Sequence, residues 1–383
     1  MTTKVCQNNG GLVPNQEDKK PYLLQLPDHI IAEILCKLPT KTLVQCQLVC
    51  KSWRCYPQLS RDLFSRTPTC LLVHDRSPCC KLLTLVDLKS NFIQENAVMR
   101  FRSDGNPMYN PSHRTIVGSC NGFLFVYHFA STFCGRRRFY SISNPLTGES
   151  LSFPPTHTGE QNDIKDFGFG FSPISNDYKV LLFVPVIDEP DKVEVKVLTL
   201  GSWIWRSIGN FVYSLRYRSR NGGIYLNGFL HWIVGSVDGS RIICAFNVER
   251  ECFQELPLPP SPRSVTALNL GILKDWLSVT VCSYTKIIVW VMKDYGCNES
   301  WTKELEISGT TPFFKQVIEH TEDGKALLLD KMSLTLEVYT PGRKGLDQML
   351  RLDSLSMASI FPYIPSFASI RDITGCPSSK SSS

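Results

Sequence analysis

Fifteen cysteines and seven histidines are the side chains in this chain of 383 residues that could ligate a metal or act as nucleophiles. Their spacing supports neither chemistry. No histidine stands at metal-ligand spacing with a cysteine or a carboxylate. Cys79 and Cys80 are adjacent, and Cys46 and Cys50 lie one helical turn apart, so both pairs read as ordinary thiols. The sequence contains no GxSxG elbow, no HExxH pair and no glycine-rich phosphate loop. Gly168 and Gly170 in DFGFGF are followed by neither a helical pattern nor a third glycine, so that segment reads as a β-turn. No catalytic centre, metal or cofactor is expected. A β-propeller enzyme that gathers its site from distant strands is the competing reading; its activity would survive deletion of residues 1–65.

Other residue types do suit a chemistry. In YSLRYRSRNGG, Arg216, Arg218 and Arg220 alternate, so an extended segment would project them from one face, with Tyr213 and Tyr217 interleaved. Arg136, Arg137 and Arg138 form a second basic run, expected in a loop. The planar guanidinium fork matches a carboxylate, and arginine and tyrosine are enriched where interfaces concentrate their binding energy. Arg137, Arg216, Tyr217, Arg218 and Arg220 are therefore candidate contacts for an acidic partner protein. A solvated loop accounts for both runs equally cheaply.

The elements that must position such residues begin with Leu26 to Trp53. Leu26, Ile30, Ile34 and Leu38 recur every four residues with Ile31 and Leu35 beside them, a stripe wider than one neighbouring helix would cover. Pro27 and Asp28 suit the first turn. Pro39 ends the helix because proline disfavours helical geometry in the residue before it, and Thr40 can cap the next. Leu43, Cys46, Cys50 and Trp53 then form a second stripe, widened by Val44, Leu48 and Val49. Ser60 caps an expected third helix whose Leu63 and Phe64 point inward. A unit of about forty residues is too small to be stabilised by its own core, so the surplus apolar surface implies docking.

Composition bounds the rest. The net charge of +6 is modest for the length and its basic residues are dispersed, which argues against nucleic acid as a partner. The amino terminus MTTKVCQNNGG lacks an apolar signal region and the cysteine count is odd, so the thiols are expected to be reduced. No apolar run approaches a membrane span. These features predict a cytoplasmic or nuclear protein without membrane partners. Residues 1–21 and 372–383 are polar or serine-rich and are expected to be disordered tails.

From about residue 70 the texture turns to short β-branched and aromatic runs punctuated by Gly, Pro, Asn and Asp. Expected strands include Val193 to Thr199, Ile224 to Leu226, Phe229 to Val234, Ile242 to Asn247 and Thr335 to Tyr339. Six hairpins, among them YSISNPLTGESLSFPP and CAFNVERECFQELPLPP, recur roughly every 45 to 60 residues, close to a propeller blade period. Asn-Gly in SCNGFL and YLNGFL suits tight type I′ turns. The fold expected is α+β and multidomain: a three-helix amino-terminal unit followed by an all-β propeller of about six blades, with a two-layer β-sandwich as the alternative. Trp203, Trp232, Trp290 and Trp301 are expected in strands or at strand ends, filling wedges between blades.

LPDHIIAEILCKLP followed by VCKSW resembles an F-box. Farther along, VGSCNGFLFVY, FGFGFSPISNDYKV, IYLNGFLHWIV, FNVERECFQELPLP and IIVWVMKDYGCNESWTKELEI resemble successive elements of the plant F-box-associated domain, nearly to residue 370. The resemblance implies an F-box at 22–66 and an F-box-associated propeller at 67–371. It also implies that Leu26, Pro27, Ile30, Ile34, Leu38, Pro39, Leu43, Val49, Cys50 and Trp53 form or support a surface for the Skp-type adaptor of an SCF ubiquitin ligase, linked through it to cullin. The carboxy-terminal domain would then hold the protein to be ubiquitinated, making the chain a non-catalytic receptor. Gln45 and Gln47 depart from the plant pattern, where basic residues are frequent; apolar anchors dominate such interfaces, so the change is expected to alter the rim only. An adaptor-bound scaffold that ubiquitinates nothing is the second reading.

Overall fold

The structure, a computed structural model, describes Leu26, Pro27, Ile30, Ile31, Ile34 and Thr42 at the amino end and residues 70–374 apart from connecting segments, the longest being 88–97, 103–112 and 154–163. Residues 1–21 and 375–383, expected as tails, and the greater part of the expected three-helix unit lie outside the described residues.

Among the described residues, twenty-four strands form six four-stranded antiparallel sheets. The first contains β1 (Cys70–Asp75), β2 (Leu82–Asp87) and β3 (Val98–Arg102). The second is β4 (His113–Cys120), β5 (Phe123–Thr132), β6 (Gly135–Ser143) and β7 (Ser150–Phe153). Next come β8 (Asp166–Ser172), β9 (Asp177–Pro185), β10 (Val193–Thr199) and β11 (Trp205–Phe211). The fourth is β12 (Ile224–Leu226), β13 (Phe229–Gly235), β14 (Arg241–Asn247) and β15 (Cys252–Leu256). The fifth is β16 (Val265–Leu273), β17 (Trp276–Ser283), β18 (Lys286–Met292) and β19 (Trp301–Ser308). The sixth is β20 (Lys315–His320), β21 (Ala326–Asp330), β22 (Thr335–Tyr339) and β23 (Asp347–Arg351). The last strand, β24 (Ala358–Tyr363), returns to complete the first sheet beside β1.

Leading strands touch in succession: β24 packs on β4, β4 on β8, β8 on β12, β12 on β16 and β16 on β20. They line the centre of a propeller, and two stacked sheets are excluded. Large apolar side chains fill the wedges between neighbouring sheets, because each sheet must bury both faces except at its outer strand. Phe125, Tyr140, Phe169 and Tyr178 belong to one such cluster between the second and third sheets. Trp232 fills the next wedge, its ring 5.3 Å from Phe183. Trp301 sits at the start of β19 and donates its Nε1 hydrogen to the Pro257 carbonyl at 3.1 Å. Trp290 packs partly buried on the cluster between the fourth and fifth sheets. Trp203 lies outside any strand, in the β10–β11 turn with φ of 57°, its ring 6.0 Å from Phe153 of the preceding sheet.

The segment DFGFGF is strand β8, not the expected turn. Its glycines serve contact between sheets: a Cβ on Gly170 would lie 2.9 Å from Val248 Cγ2, and one on Gly168 would lie 3.0 Å from Leu230 Cδ1. Asn121–Gly122 and Asn227–Gly228 form the expected left-handed tight turns, with φ of 48° and 83°, and of 47° and 84°.

Tyr363 at the end of β24 pairs with Cys70 at the start of β1, so the ring's first and last residues meet at one end. A strap continues across that end. The Tyr363 hydroxyl donates to the Gly122 carbonyl at 2.8 Å, and Asn144 Nδ2 donates to the carbonyls of Ser366 and Ala368, both at 2.9 Å. Glu149 accepts from Ser369 Oγ at 2.9 Å and from the Ile370 amide at 2.7 Å. The strap ends in the helical turn Ile370–Thr374, so residues 372–374, expected in the carboxy-terminal tail, are structured.

Candidate functional site

Two surfaces are candidates, one at the amino end of the chain and one on the fourth sheet. At the amino end, the amides of Ile30 and Ile31 donate to the Pro27 carbonyl at 3.0 and 3.2 Å, closing a first helical turn. Ile31 is 1% exposed, whereas Leu26 and Ile34 are 37% and 38% exposed and Pro27 is exposed beside them. Ile30 is half-buried. Among the described residues of this segment Ile31 is buried, while Leu26, Pro27 and Ile34 keep solvent-exposed surface. Leu38, Pro39, Leu43, Val49, Cys50 and Trp53 lie outside the described residues.

The second surface is on the fourth sheet. Residues 212–217 lead from β11 toward β12 and fold over the β13–β14 turn. The amide of Ser214 donates to the Gly235 carbonyl at 2.8 Å, and that of Gly235 to the Ser214 carbonyl at 2.9 Å. Leu215–Tyr217 is a 3-10 turn rather than the extended segment expected, because this bridge bends the chain over its neighbour. Arg216 and Tyr217 are exposed, and the Arg241 guanidinium stacks 4.6 Å above the Tyr217 ring. Burial, then a hydrogen bond to Glu255, raises the Tyr213 hydroxyl to about 12, so it stays protonated. Arg218 and Arg220 lie outside the described residues. Arg136, Arg137 and Arg138 lie in strand β6, not in a loop. Antiparallel order puts the β5–β6 and β13–β14 turns opposite the strap, so both basic runs begin at the same end of the ring.

The profile of the F-box domain matches residues 23–56, and that of the F-box associated beta propeller domain matches residues 72–325, well over half of the chain. The chain belongs to the F-box-associated β-propeller family. The F-box protein At3g07870 of Arabidopsis thaliana is 31% identical over 374 residues, covering 83% of this chain and 86% of that protein. The F-box/kelch-repeat protein At3g23880 of the same plant is 30% identical over 335 residues, covering 83% and 89%. The F-box protein CPR1, also from Arabidopsis thaliana, is 24% identical over 343 residues, covering 80% and 79%.

In this F-box-associated propeller, the sequence reading found Arg216 and Tyr217 but missed Arg241, which reads simply as the polar start of a strand. Only the fold of residues 212–217 over the β13–β14 turn brings these side chains together. Among the described residues, no group of three or more His, Cys, Asp or Glu side chains could hold a metal, and no helix is long and apolar enough to cross a membrane.

Proposed function

We propose that this protein is the substrate-recognition subunit of an SCF-type E3 ubiquitin ligase. Its F-box, residues 22–66, binds a Skp-type adaptor and through it cullin, while the propeller, residues 67–371, holds a target protein for ubiquitination and proteasomal degradation in the cytoplasm or nucleus. The six sheets are read as the blades of one closed ring. The observation that carries this reading is an F-box followed by an F-box-associated propeller in one chain.

Leu26, Pro27, Ile30 and Ile34 begin the adaptor surface, and Leu38, Pro39, Leu43, Val49, Cys50 and Trp53 extend or support it. Exposure of Leu26 and Ile34 supports this assignment, since apolar groups left in water on a small helical unit gain about 25 cal/mol per Å2 when a partner covers them. The receptor performs no bond chemistry. Tethering the target near the loaded ubiquitin carrier turns a bimolecular encounter into an effectively intramolecular one. Arg137, Arg216, Tyr217, Arg218 and Arg220 are the proposed target contacts.

Affinity capture with the intact protein and with a Leu26→Ala/Pro27→Ala variant tests the adaptor assignment. Adaptor and cullin should be lost from the variant while target is retained. Equal adaptor recovery from both proteins would overturn it.

A further inference from the structure

The geometry points to the Arg216, Tyr217 and Arg241 patch on the fourth sheet as a receptor for a peptide segment that carries carboxylate and apolar side chains on one face. This inference rests on the target-binding role given to the propeller and adds the chemical class of what is held. The patch is built from two elements fixed by the paired Ser214 and Gly235 hydrogen bonds. Arg216 and Arg241 are exposed, and neither forms an ion pair among the described residues. Several other cations of the propeller are matched internally: Lys179 pairs with Glu251 at 2.8 Å, Lys315 with Asp330 at 2.9 Å and Lys286 with Glu306 at 3.1 Å. The nearby carboxylates are already engaged, Asp238 by the Ser240 amide at 2.9 Å and Glu255 by the Tyr213 hydroxyl.

Stacking on Tyr217 holds the Arg241 guanidinium by one face and leaves its edge free to fork a carboxylate. Exposed apolar surface borders the cations: Val212 is 68% exposed, Val237 86% and Tyr217 42%. A carboxylate alone would use the arginines and waste this surface, whereas a segment with acidic and apolar residues on the same face uses both. Side chains two residues apart in an extended peptide share a face, so a carboxylate and an apolar side chain at such positions reach the patch together.

The test is fluorescence anisotropy on the full-length protein with a labelled twelve-residue peptide of glutamate and leucine and its lysine and leucine counterpart. The glutamate peptide should bind, and Arg216→Glu/Arg241→Glu should weaken it at least tenfold while favouring the lysine peptide. Arg241→Lys keeps the charge but loses the planar stack and should weaken binding a few-fold. An unchanged melting temperature and unchanged adaptor capture identify the loss as local to the patch and independent of the F-box. Equal binding of both peptides to the native protein, or of the glutamate peptide to native and reversed proteins, would overturn the inference. So would tighter binding of single-stranded RNA or of phosphatidylserine vesicles than of the glutamate peptide.

Discussion

His231 shows how one side chain can report on the joint between two sheets. It is fully buried in β13, with Nδ1 3.0 Å from the Ile224 carbonyl and Nε2 2.7 Å from the Tyr295 hydroxyl. A carbonyl can only accept, so Nδ1 carries the proton and Nε2 accepts from Tyr295 of the next sheet. Burial lowers the imidazole to about 4 despite the opposing backbone hydrogen bond to Ile224. The folded value lies below the ordinary 6.5, so the full stability contribution is present above pH 6.5 and is lost as pH falls toward 4. At about 1.4 kcal/mol per unit, this group makes unfolding easier by roughly 3 kcal/mol across that window. Urea midpoints measured between pH 7.5 and 4.5 should show the loss, and His231→Gln should be less stable at pH 7.5 but flatter across the range. Gly170→Ala tests the packing reading of β8: the added methyl meets Val248 at 2.9 Å and Tyr225 at 3.2 Å, which should cost about 1–3 kcal/mol by equilibrium unfolding.

At the scale of elements, the strap makes a separable prediction. Glu149→Ala removes the acceptor of Ser369 Oγ and the Ile370 amide, so amides 370–374 should exchange faster while those of β9 and β10 keep their protection. Hydrogen exchange read by mass spectrometry resolves the two regions. Strands with strong β-branched or aromatic runs, such as Val193–Thr199, Ile224–Leu226 and Thr335–Tyr339, were legible in the sequence to the residue. So were both Asn-Gly turns, because their backbone demand is local. Strand β8 was misread because its two glycines answer to Val248, Leu230 and Trp232, side chains distant in sequence. The outer strands carry weak alternation: β11 is exposed at four of seven positions, and propensity alone does not mark it. For the docking surfaces, the apolar stripe was visible at the amino end because helical period exposes it. The Arg241 stack was invisible because a turn two elements away creates it.

Taken whole, the propeller sets the entry of the chain into β1 and the arginine patch at opposite ends. The F-box leads into β1 at the end where Cys70 meets Tyr363, and the arginine patch opens at the other end of the ring. Tether stiffness should therefore govern ubiquitin transfer without governing capture. Inserting a flexible twenty-residue glycine-serine spacer between residues 66 and 67 is expected to lower the reconstituted ubiquitination rate several-fold while leaving target Kd within twofold. Matching losses in both quantities would instead indicate that the spacer damaged the fold.

The pairing of β24 with β1 also orders events during synthesis. The residues proposed to bind the adaptor emerge from the ribosome early, but the first sheet is incomplete until Tyr363 has been translated. A message cut short before residue 358 would encode a polypeptide able to occupy the adaptor yet lacking the strand that fastens its ring. Such a fragment would act as a competitive blank, displacing intact receptors from a limited pool of ligase.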